Sequence, residues 1–297
     1  MSSILRFHEQ FCQHSLVFKN NAPTSVKSFR YTFLAFLEMT GVSSFDQITQ
    51  ECIEDYVIQG KLEKKWSPKT IRNHLQYLSL FLDWCVKRNH LEKNYAKEIE
   101  KPKLPKTLPK SLSKDQATRL LEWAEHYSYY YSFERTRAIC IIATFIFTGI
   151  RLQELYNLKV SHVNVTDKVL VVRSGKGNKD RIIPLNGQLI HIIKEYLRQR
   201  EKRHKTTPYF FTSLRKNDKM GQKTVEKLVK KLREVSGIYF YPHLLRHTFA
   251  TLMVEGGCDI YSLSKMMGHS DIQTTTIYLN VSTKHLKHQI LKHPVCW

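Results

Sequence analysis

The sequence predicts a mainly α-helical protein of two domains, with a small β-sheet in the second domain. Apolar residues recur at helical spacing along most of the 297 residues. Two short segments rich in β-branched residues, 168–173 and 180–185, flank a glycine-containing turn and predict a β-hairpin. A proline- and lysine-rich stretch at 101–112 predicts an extended linker. Because the chain is long enough to bury two cores, we expect domains at 1–100 and 113–297.

Helix start signals mark the first domain. Pro23 opens one helix, and Thr49 is a candidate N-cap for a shorter one. Ser67 followed by Pro68 is a stronger signal, since it combines an N-cap with proline at the first helical position. The helix that it opens is expected to run to about Asn89. Its buried stripe is expected to consist of Ile71, Leu75, Leu78, Leu82 and Cys85.

The second domain is expected to begin at Ser113, which forms a capping-box pattern with Gln116. The apolar run from Ala138 to Ile150 is too short to span a bilayer and predicts a buried helix. Lys176 lies at the tip of the predicted hairpin. Further helices are expected at about 188–201, 223–235, 260–267 and 271–277, followed by a tail at 281–297.

The charge balance indicates a polyanionic partner. The chain has 47 Lys+Arg against 26 Asp+Glu, which gives a net charge of +21, and nucleic acid is the commonest partner of such proteins. The basic residues are spread along the chain, which disfavours a membrane-surface role. Double-stranded DNA is therefore the expected partner. The candidate DNA-facing residues are Lys64, Lys65, Lys69, Arg72, Lys227, Lys230 and Lys231. For the first four, a solvated charged face is the alternative interpretation.

Cysteine usage and the amino terminus bear on location and on metals. The six cysteines are scattered and include no Cys-x-x-Cys pair, which predicts reduced thiols and no metal site. The amino terminus lacks the apolar core and cleavage site of a signal peptide. We therefore expect a cytoplasmic protein.

Four residues near the carboxyl end form a set that suits phosphate chemistry. His243 and Arg246 are one helical turn apart and share a face, and Tyr278 follows His269 by nine residues. Arginine binds phosphate oxygens through a bidentate fork, and a phenol attacks phosphorus once its proton is removed. Taken singly, each residue fits a packing role better than a functional one. The joint spacing favours a site.

Three earlier residues complete this set. Arg151 follows Thr148-Gly149, where a helix is expected to end, and Glu154 lies three residues further on. Lys176, on the hairpin, adds a third kind of cationic side chain. The second domain then holds two arginines, a lysine, two histidines and a tyrosine.

These residues lie in five sequence boxes. In chain order, the boxes are Thr-Gly-Ile-Arg-Leu-Gln-Glu-Leu at Arg151, Gly-Lys-Gly-Asn-Lys-Asp-Arg at Lys176, His-Leu-Leu-Arg-His at His243, Gly-His-Ser at His269, and Tyr278. Their order and spacing closely resemble the tyrosine recombinase (phage integrase) family, and especially its compact Xer-like members. The resemblance covers nearly the whole chain. It implies a helical core-binding (SAM-like) domain and an α+β catalytic domain that form a clamp around DNA.

The resemblance also implies a role for each residue. Arg151 and Arg246 would hold the non-bridging oxygens of the scissile phosphate. Lys176 would protonate the departing 5′-hydroxyl. Tyr278 would form a covalent 3′-phosphotyrosine, so that rejoining needs no ATP, metal or other cofactor. The surrounding cations would favour the phenolate form of Tyr278.

The remaining residues would support this chemistry. His243 and His269 would hydrogen-bond the phosphate, and His243 is a candidate to help deprotonate Tyr278. Glu154 is expected to be structural, orienting the site through an arginine or the backbone. One departure from the family is Asn94-Tyr-Ala, where members often have Asn-Pro-Ala.

The family further implies a homo-tetramer acting on two DNA sites, each a short inverted repeat, through a Holliday junction. The need for a second, paired recombinase stays open, as does the docking of the tail on a neighbour or on its own domain. The outcome, whether integration, excision, inversion or dimer resolution, is also open. The alternatives are a catalytically silent DNA-binding regulator and a type IB topoisomerase-like enzyme. The intact set of six residues disfavours the first, and the Xer-like architecture disfavours the second.

Overall fold

The computed structural model describes residues 3–105, 109–173, 180–269 and 271–279, and the chain forms two compact units. Unit 1 comprises Met1–Lys106 and unit 2 comprises Thr107–Trp297. The predicted fold class is confirmed, because the described residues are mostly helical with one small antiparallel sheet. No helix in the described ranges is long and apolar enough to cross a membrane.

Unit 1 is helical throughout its described residues. Its elements are α1 (Ser3–Val17), α2 (Pro23–Thr40), α3 (Gln50–Leu62), α4 (Pro68–Val86) and 3-10 helices at Phe45–Gln47 and Tyr95–Lys97. The side chain of Thr49 accepts a hydrogen bond from the backbone of Cys52, and that of Ser67 accepts one from the backbone of Thr70. Both predicted N-caps are therefore confirmed. The helix expected to reach Asn89 ends earlier, since Asn89 has a φ of 58°.

The core of unit 1 is rich in aromatic rings. The predicted stripe of α4 is buried, together with Phe33, Phe36 and Tyr56. Two histidines are part of this core: His8 stacks on Phe33 with ring centroids 4.1 Å apart, and His74 Nδ1 lies 2.6 Å from Tyr56 Oη. Both histidines are satisfied packing residues.

Unit 2 contains eight of the described α-helices and the three described strands. In order they are α5 (Lys114–His126), α6 (Ser132–Thr148), α7 (Leu152–Asn157), β1 (Val163–Asn164), β2 (Val169–Val172), β3 (Arg181–Pro184), α8 (Gly187–Lys202), α9 (Gln222–Ser236), α10 (Pro242–Glu255), α11 (Ile260–Met267) and α12 (Gln273–Thr276), with a 3-10 helix at Val160–His162. Ser113 and Gln116 form the predicted capping box at α5. Helix α12 is shorter than the expected 271–277.

Helix α6 is the central element of unit 2 and packs against α5, α8 and α10. It is buried along nearly its whole length, as its apolar sequence predicts. The helix ends at Gly149, which adopts a left-handed φ of 59°. A Cβ at this position would lie 2.4 Å from the Phe249 ring. Glycine is therefore required here for both its backbone freedom and its size, and the turn that it makes directs Arg151 toward α10 and α11.

The sheet has the order β1-β2-β3 and is antiparallel. The predicted strand–turn–strand is confirmed by the pairing of β2 with β3, in which Val169 lies opposite Pro184 and Val172 opposite Arg181. Strand β1 was not predicted. The hairpin tip with Lys176 and the tail at 281–297 lie outside the described residues.

Candidate active site

Five of the six predicted catalytic residues come together in unit 2. Arg151 follows the Gly149 turn, His243 and Arg246 lie on α10, His269 follows α11, and Tyr278 follows α12. Arg246 Nη2 lies 3.1 Å from His269 Nε2, and Arg151 Nη2 donates to the Gly268 carbonyl oxygen at 3.2 Å. The sixth, Lys176, lies outside the described residues.

Glu154 is a buried carboxylate that holds two arginines. Its oxygens accept two hydrogen bonds from Arg181, Nη1 at 2.8 Å and Nη2 at 2.7 Å. They also accept from the Arg151 backbone N–H and from Arg151 Nη1, each at 2.8 Å. Burial alone would raise the pKa of Glu154, but the bonds and charges of Arg181 and Arg151 outweigh it and lower the pKa to about 2. Glu154 is thus ionised, and it fixes Arg151 at the start of α7.

Arg181 is a site residue that the sequence interpretation did not single out. Its side chain is only 6% exposed, and its Nε donates to the Met266 carbonyl oxygen at 2.8 Å. It therefore connects β3 to the end of α11. A Cβ on Gly268 would lie 2.8 Å from Arg181 Cδ, so this arginine also explains why glycine precedes His269. The sequence did contain a hint of this role, because Arg181 is the last residue of the box around Lys176.

Arg246 is almost completely buried, with 2% of its surface exposed. It donates to the carbonyl oxygens of Gly149 and Met267, each at 2.6 Å. Burial, followed by the charges of Arg151 and Arg181, lowers the pKa of Arg246 to about 9, which leaves it protonated at neutral pH. Among the described residues it forms no ion pair with a carboxylate, so its positive charge is available to an anion.

The contacts of His269 define its tautomer. Arginine can only donate, so His269 Nε2 accepts from Arg246 and the proton of the neutral ring is on Nδ1. Nδ1–H then donates to Thr275 Oγ1 at 2.8 Å, a contact that the sequence interpretation did not identify. Burial, followed by the charges of Arg246 and Arg151, lowers the pKa of His269 to about 4. His269 is therefore neutral at physiological pH.

Tyr278 is buried, with 2% exposure, in a small apolar cluster. Its Oη lies 2.7 Å from His247 Nδ1. Burial raises the pKa of Tyr278, and the charge of Arg246 opposes this only in part. The cations were expected to favour phenolate, but in this structure the group is held as a phenol because burial has the larger effect.

The tyrosine partner is His247, whereas the sequence suggested His243. His243 is exposed in the first turn of α10, and its ring centroid lies 4.5 Å from that of His247. Burial, followed by the charges of His243 and Arg246, lowers the pKa of His247 to about 4. His247 was visible in the His-Leu-Leu-Arg-His box, four residues after His243 and on the same helix face. What the sequence did not show was which of the two histidines meets the phenol.

None of the predicted DNA-facing residues takes part in the contacts just described, and their role stays a prediction. In unit 1, Lys64, Lys65 and Lys69 are exposed and Arg72 is partly buried. In unit 2, Lys227 is exposed, and Lys230 Nζ lies 3.9 Å from a Glu234 carboxylate oxygen. Lys231 differs from the other two lysines of unit 2 because it is partly buried. Its Nζ lies over two rings of unit 2, 4.1 Å from the centroid of Tyr127 and 5.0 Å from that of Tyr129.

The fold and this arginine–histidine–tyrosine cluster define a class of protein, and sequence comparison agrees. A family model described as "Phage integrase family" matches residues 110–285, more than half of the chain. The chain therefore belongs to the phage integrase family, the tyrosine-type site-specific DNA recombinases.

Relatives within the family indicate the Xer type. The tyrosine recombinase XerA of Pyrococcus horikoshii is 40% identical over 199 residues, which cover 66% of this chain and 66% of that protein, so the chain spans just under two thirds of this relative. The XerA of Thermococcus onnurineus is 38% identical over 273 residues, 80% of this chain and 93% of that protein. The fold is shared with a crystal structure of XerH site-specific recombinase bound to palindromic difH substrate in a post-cleavage complex. That structure has a TM-score of 0.76 and 22% identity and covers 96% of this chain and 83% of the other.

Proposed function

We propose that this chain cleaves and rejoins double-stranded DNA through a covalent 3′-phosphotyrosine at Tyr278, with neither ATP nor a metal. Strand exchange between two sites then passes through a Holliday junction. The observation that carries the proposal is the position of Tyr278. Its hydroxyl is hydrogen-bonded to His247, and the residue just before His247 on α10 is Arg246, a buried guanidinium without a carboxylate partner among the described residues.

The arginines supply the positive charge that the reaction needs. A phosphodiester under attack develops charge on its non-bridging oxygens, and donors fixed before the reaction stabilise that charge most effectively. Arg246 is fixed by two carbonyl oxygens, and Arg151 by Glu154 and the Gly268 carbonyl. Both retain further N–H groups for a phosphate. In this proposal they clamp the scissile phosphate, and Glu154 and Arg181 keep Arg151 in place.

His247 is the group placed to take the phenol proton. In the resting site it is neutral, because burial and nearby positive charge lower its pKa to about 4. A phosphodiester bound by the arginines brings negative charge, which raises the pKa of a neighbouring imidazole. His247 would then become a stronger base when DNA is bound, and Tyr278 would lose its proton only at that point.

His243 and His269 remain the proposed hydrogen-bond donors to the phosphate. His243 is exposed at the start of α10 and is free to meet a ligand there. His269 has no unused N–H in its present tautomer, because its proton is donated to Thr275. A phosphate beside it favours the doubly protonated ring, whose Nε2–H can donate. In the resting state, His269 instead orients Arg246.

Lys176 is the proposed acid for the leaving 5′-oxygen. We expect Lys176→Ala to slow cleavage of an ordinary phosphodiester and to leave cleavage of a 5′-thiol substrate near the wild-type rate, because a thiolate departs without a proton. Single-turnover cleavage of the two substrates is the measurement. If the thiol substrate is cleaved as slowly as the ordinary one, Lys176 has a different role.

A homo-tetramer on two short inverted-repeat sites is the proposed assembly. Unit 2 has a groove of about 1070 Å³ whose lining is largely apolar and includes Ile146 and Phe147. Its charged lining residues are three glutamates and one lysine: Glu122, Glu125, Glu255 and Lys114. The tail sequence at 281–297 combines apolar residues with lysines and histidines, which complements that groove in both respects. Docking of the tail of one copy on the groove of another would link their active sites.

The proposed location is the cytoplasm, where the protein has access to DNA.

A substrate nicked beside the scissile phosphate tests the chemistry, because the short leaving strand diffuses away and traps the covalent intermediate. We expect the wild type to accumulate a protein–DNA adduct at the 3′ phosphate, and Tyr278→Phe to accumulate none while still binding DNA. An adduct that survives in Tyr278→Phe would overturn the assignment of the nucleophile. DNA binding without any adduct in the wild type would favour a silent DNA-binding regulator.

A further inference from the structure

Unit 2 also contains a basic cleft, which shares no residue with the candidate active site. It has a volume of about 670 Å³ and lies between the start of α6, the loop at 213–216 and α9. We call it the α6–α9 cleft. The residues that matter here are Arg137 and Tyr129 in its wall and Arg215, Lys216, Lys227 and Lys231 around it.

Arg137 is a buried cation that lacks a close carboxylate partner among the described residues. It is 5% exposed, and its Nη1 donates to the Thr212 carbonyl oxygen at 2.7 Å. Among the described residues it forms no ion pair within 4.0 Å. Burial lowers the pKa of Arg137, and the charges of Tyr196 and Glu134 oppose this only in part, which reflects the cost of keeping a guanidinium out of water. Buried charges are normally paired, so an anion in the cleft would supply what the protein does not.

Tyr129 is a donor without an acceptor in the same cleft. Its hydroxyl oxygen is buried and has no hydrogen-bond partner among the described residues, although leaving a buried hydroxyl unpaired is destabilising. Burial also raises the pKa of Tyr129, so the hydroxyl keeps its proton and donates. Arg137 and Tyr129 are independent observations, and both call for an acceptor oxygen.

The rim of the cleft selects for negative charge. Arg215, Lys216 and Lys227 are exposed there, and Lys231 lies over the Tyr129 ring. The lining contains one carboxylate, Glu134. Several cations around two buried donors favour a tetrahedral oxyanion with several acceptor oxygens over a neutral or a cationic ligand.

We propose that the α6–α9 cleft binds a phosphate group, contributed by a DNA backbone or by a free phosphate-bearing molecule. Arg137 and Tyr129 hold its oxygens, and Lys216 and Lys227 close over it. The volume is within the range of small-ligand sites. The DNA source rests on the proposed recombinase function, whereas the free source does not.

Calorimetric titration of the full chain with pyrophosphate tests the proposal. An Arg151→Ala background weakens phosphate binding at the candidate active site, so the remaining heat reports on the cleft. We expect Tyr129→Phe combined with Lys216→Gln to weaken pyrophosphate binding at least tenfold. The matched control is Lys194→Gln, which removes an exposed charge from α8 and should change nothing. Equal affinities in the cleft variant and the control would overturn the proposal, and so would the absence of binding in the Arg151→Ala background.

Tyr129→Phe is not expected to unfold the protein, since it removes the unpaired hydroxyl and should leave the melting temperature unchanged or higher.

Binding of double-stranded DNA then distinguishes the two sources of the phosphate. If DNA displaces pyrophosphate, and the cleft variant binds DNA with a smaller salt dependence, the phosphate belongs to the backbone. If pyrophosphate binds equally well to the DNA complex, the ligand is free. The covalent-adduct assay is unaffected by either result, so a failure here is separable from a failure of the recombinase proposal.

Discussion

The two units each contain a buried tyrosine–histidine pair of nearly the same geometry. In unit 1, Tyr56 Oη lies 2.6 Å from His74 Nδ1, and in unit 2, Tyr278 Oη lies 2.7 Å from His247 Nδ1. Both tyrosines are almost fully buried, at 0% and 2% exposure. The pairs differ in what surrounds them.

The first pair is enclosed by aromatic rings. His74 and Trp66 have ring centroids 4.1 Å apart, and Phe36 lies edge-on to Tyr56 at 5.2 Å. Burial raises the pKa of Tyr56 and no positive charge opposes it. Around the second pair, Arg246 acts on both members, lowering the pKa of His247 and opposing the rise in the pKa of Tyr278. The hydrogen bond alone therefore does not distinguish the two tyrosines, and the adjacent cation is what supports Tyr278 as the proposed nucleophile.

The largest effect is expected from removing a cation of the candidate active site in unit 2. Arg151→Ala should slow covalent adduct formation about 10²–10³-fold at saturating DNA, because it removes a fixed donor to the phosphate. Arg30→Ala is the matched control, since Arg30 is also paired with a glutamate, at 2.6 Å from Glu9, but lies in unit 1. Its cleavage rate in the bound complex should be unchanged. If both variants lost the same factor in the rate of adduct formation, the arginine in unit 2 would have no special role in cleavage.

The next effect concerns stability. Glu154→Gln should destabilise unit 2 by about 3 kcal/mol, because breaking a buried ion pair leaves an uncompensated charge; Arg181 and Glu154 are 6% and 9% exposed. Glu9→Gln breaks the pair with Arg30 in which both side chains are at least 40% exposed, and it should cost under about 1 kcal/mol. Thermal and denaturant unfolding of the full chain measure both. A Glu154 variant as stable as the Glu9 variant would show that Glu154 does not hold the site together.

Substitutions of the two histidines should affect different properties: adduct formation for His247 and stability for His74. His247→Ala should slow adduct formation about 100-fold at neutral pH through loss of a proton acceptor. His247→Asn keeps an oxygen that can accept a hydrogen bond but cannot take the proton, and should be equally slow. Recovery in His247→Asn would mean that His247 only positions the phenol. His74→Asn should lower the melting temperature and leave the cleavage rate of the bound complex intact.

The smallest effect is a pH dependence of stability. The pKa values of His247 and His269 are lowered from 6.5 to about 4, so the unfolded chain binds more protons than the folded chain between these values. Their contribution is therefore complete above about pH 6.5 and declines as pH falls toward 4, by about 1 kcal/mol or less for each histidine over the first pH unit. Unfolding at pH 7.5 and 5.5 measures the decline. His247→Asn should show a smaller decline than the wild type, and an unchanged one would contradict the assignment.

The sequence determined the local elements and most of the residues of the candidate site, although not Arg181 or the roles of His247 and Thr275. Thr49, Ser67 and Ser113 cap their helices as predicted, because a cap is a contact between residues three apart. The stripe of α4 and the buried course of α6 follow from side-chain periodicity. Five boxes in order were enough to identify the residue types of the site, since each box is a short segment whose spacing can be read directly.

Only the tertiary structure decided which residues meet. His247 and Tyr278 are 31 residues apart, and Glu154 and Arg181 are 27 residues apart. Periodicity places His243 and His247 on one face of α10, but the packing of α12 against α11 decides which ring meets the phenol. The charge state of Tyr278 also could not be predicted, because it depends on the balance between burial and the charge of Arg246. Contacts across a fold depend on how elements pack, whereas caps and stripes depend only on a few neighbouring residues.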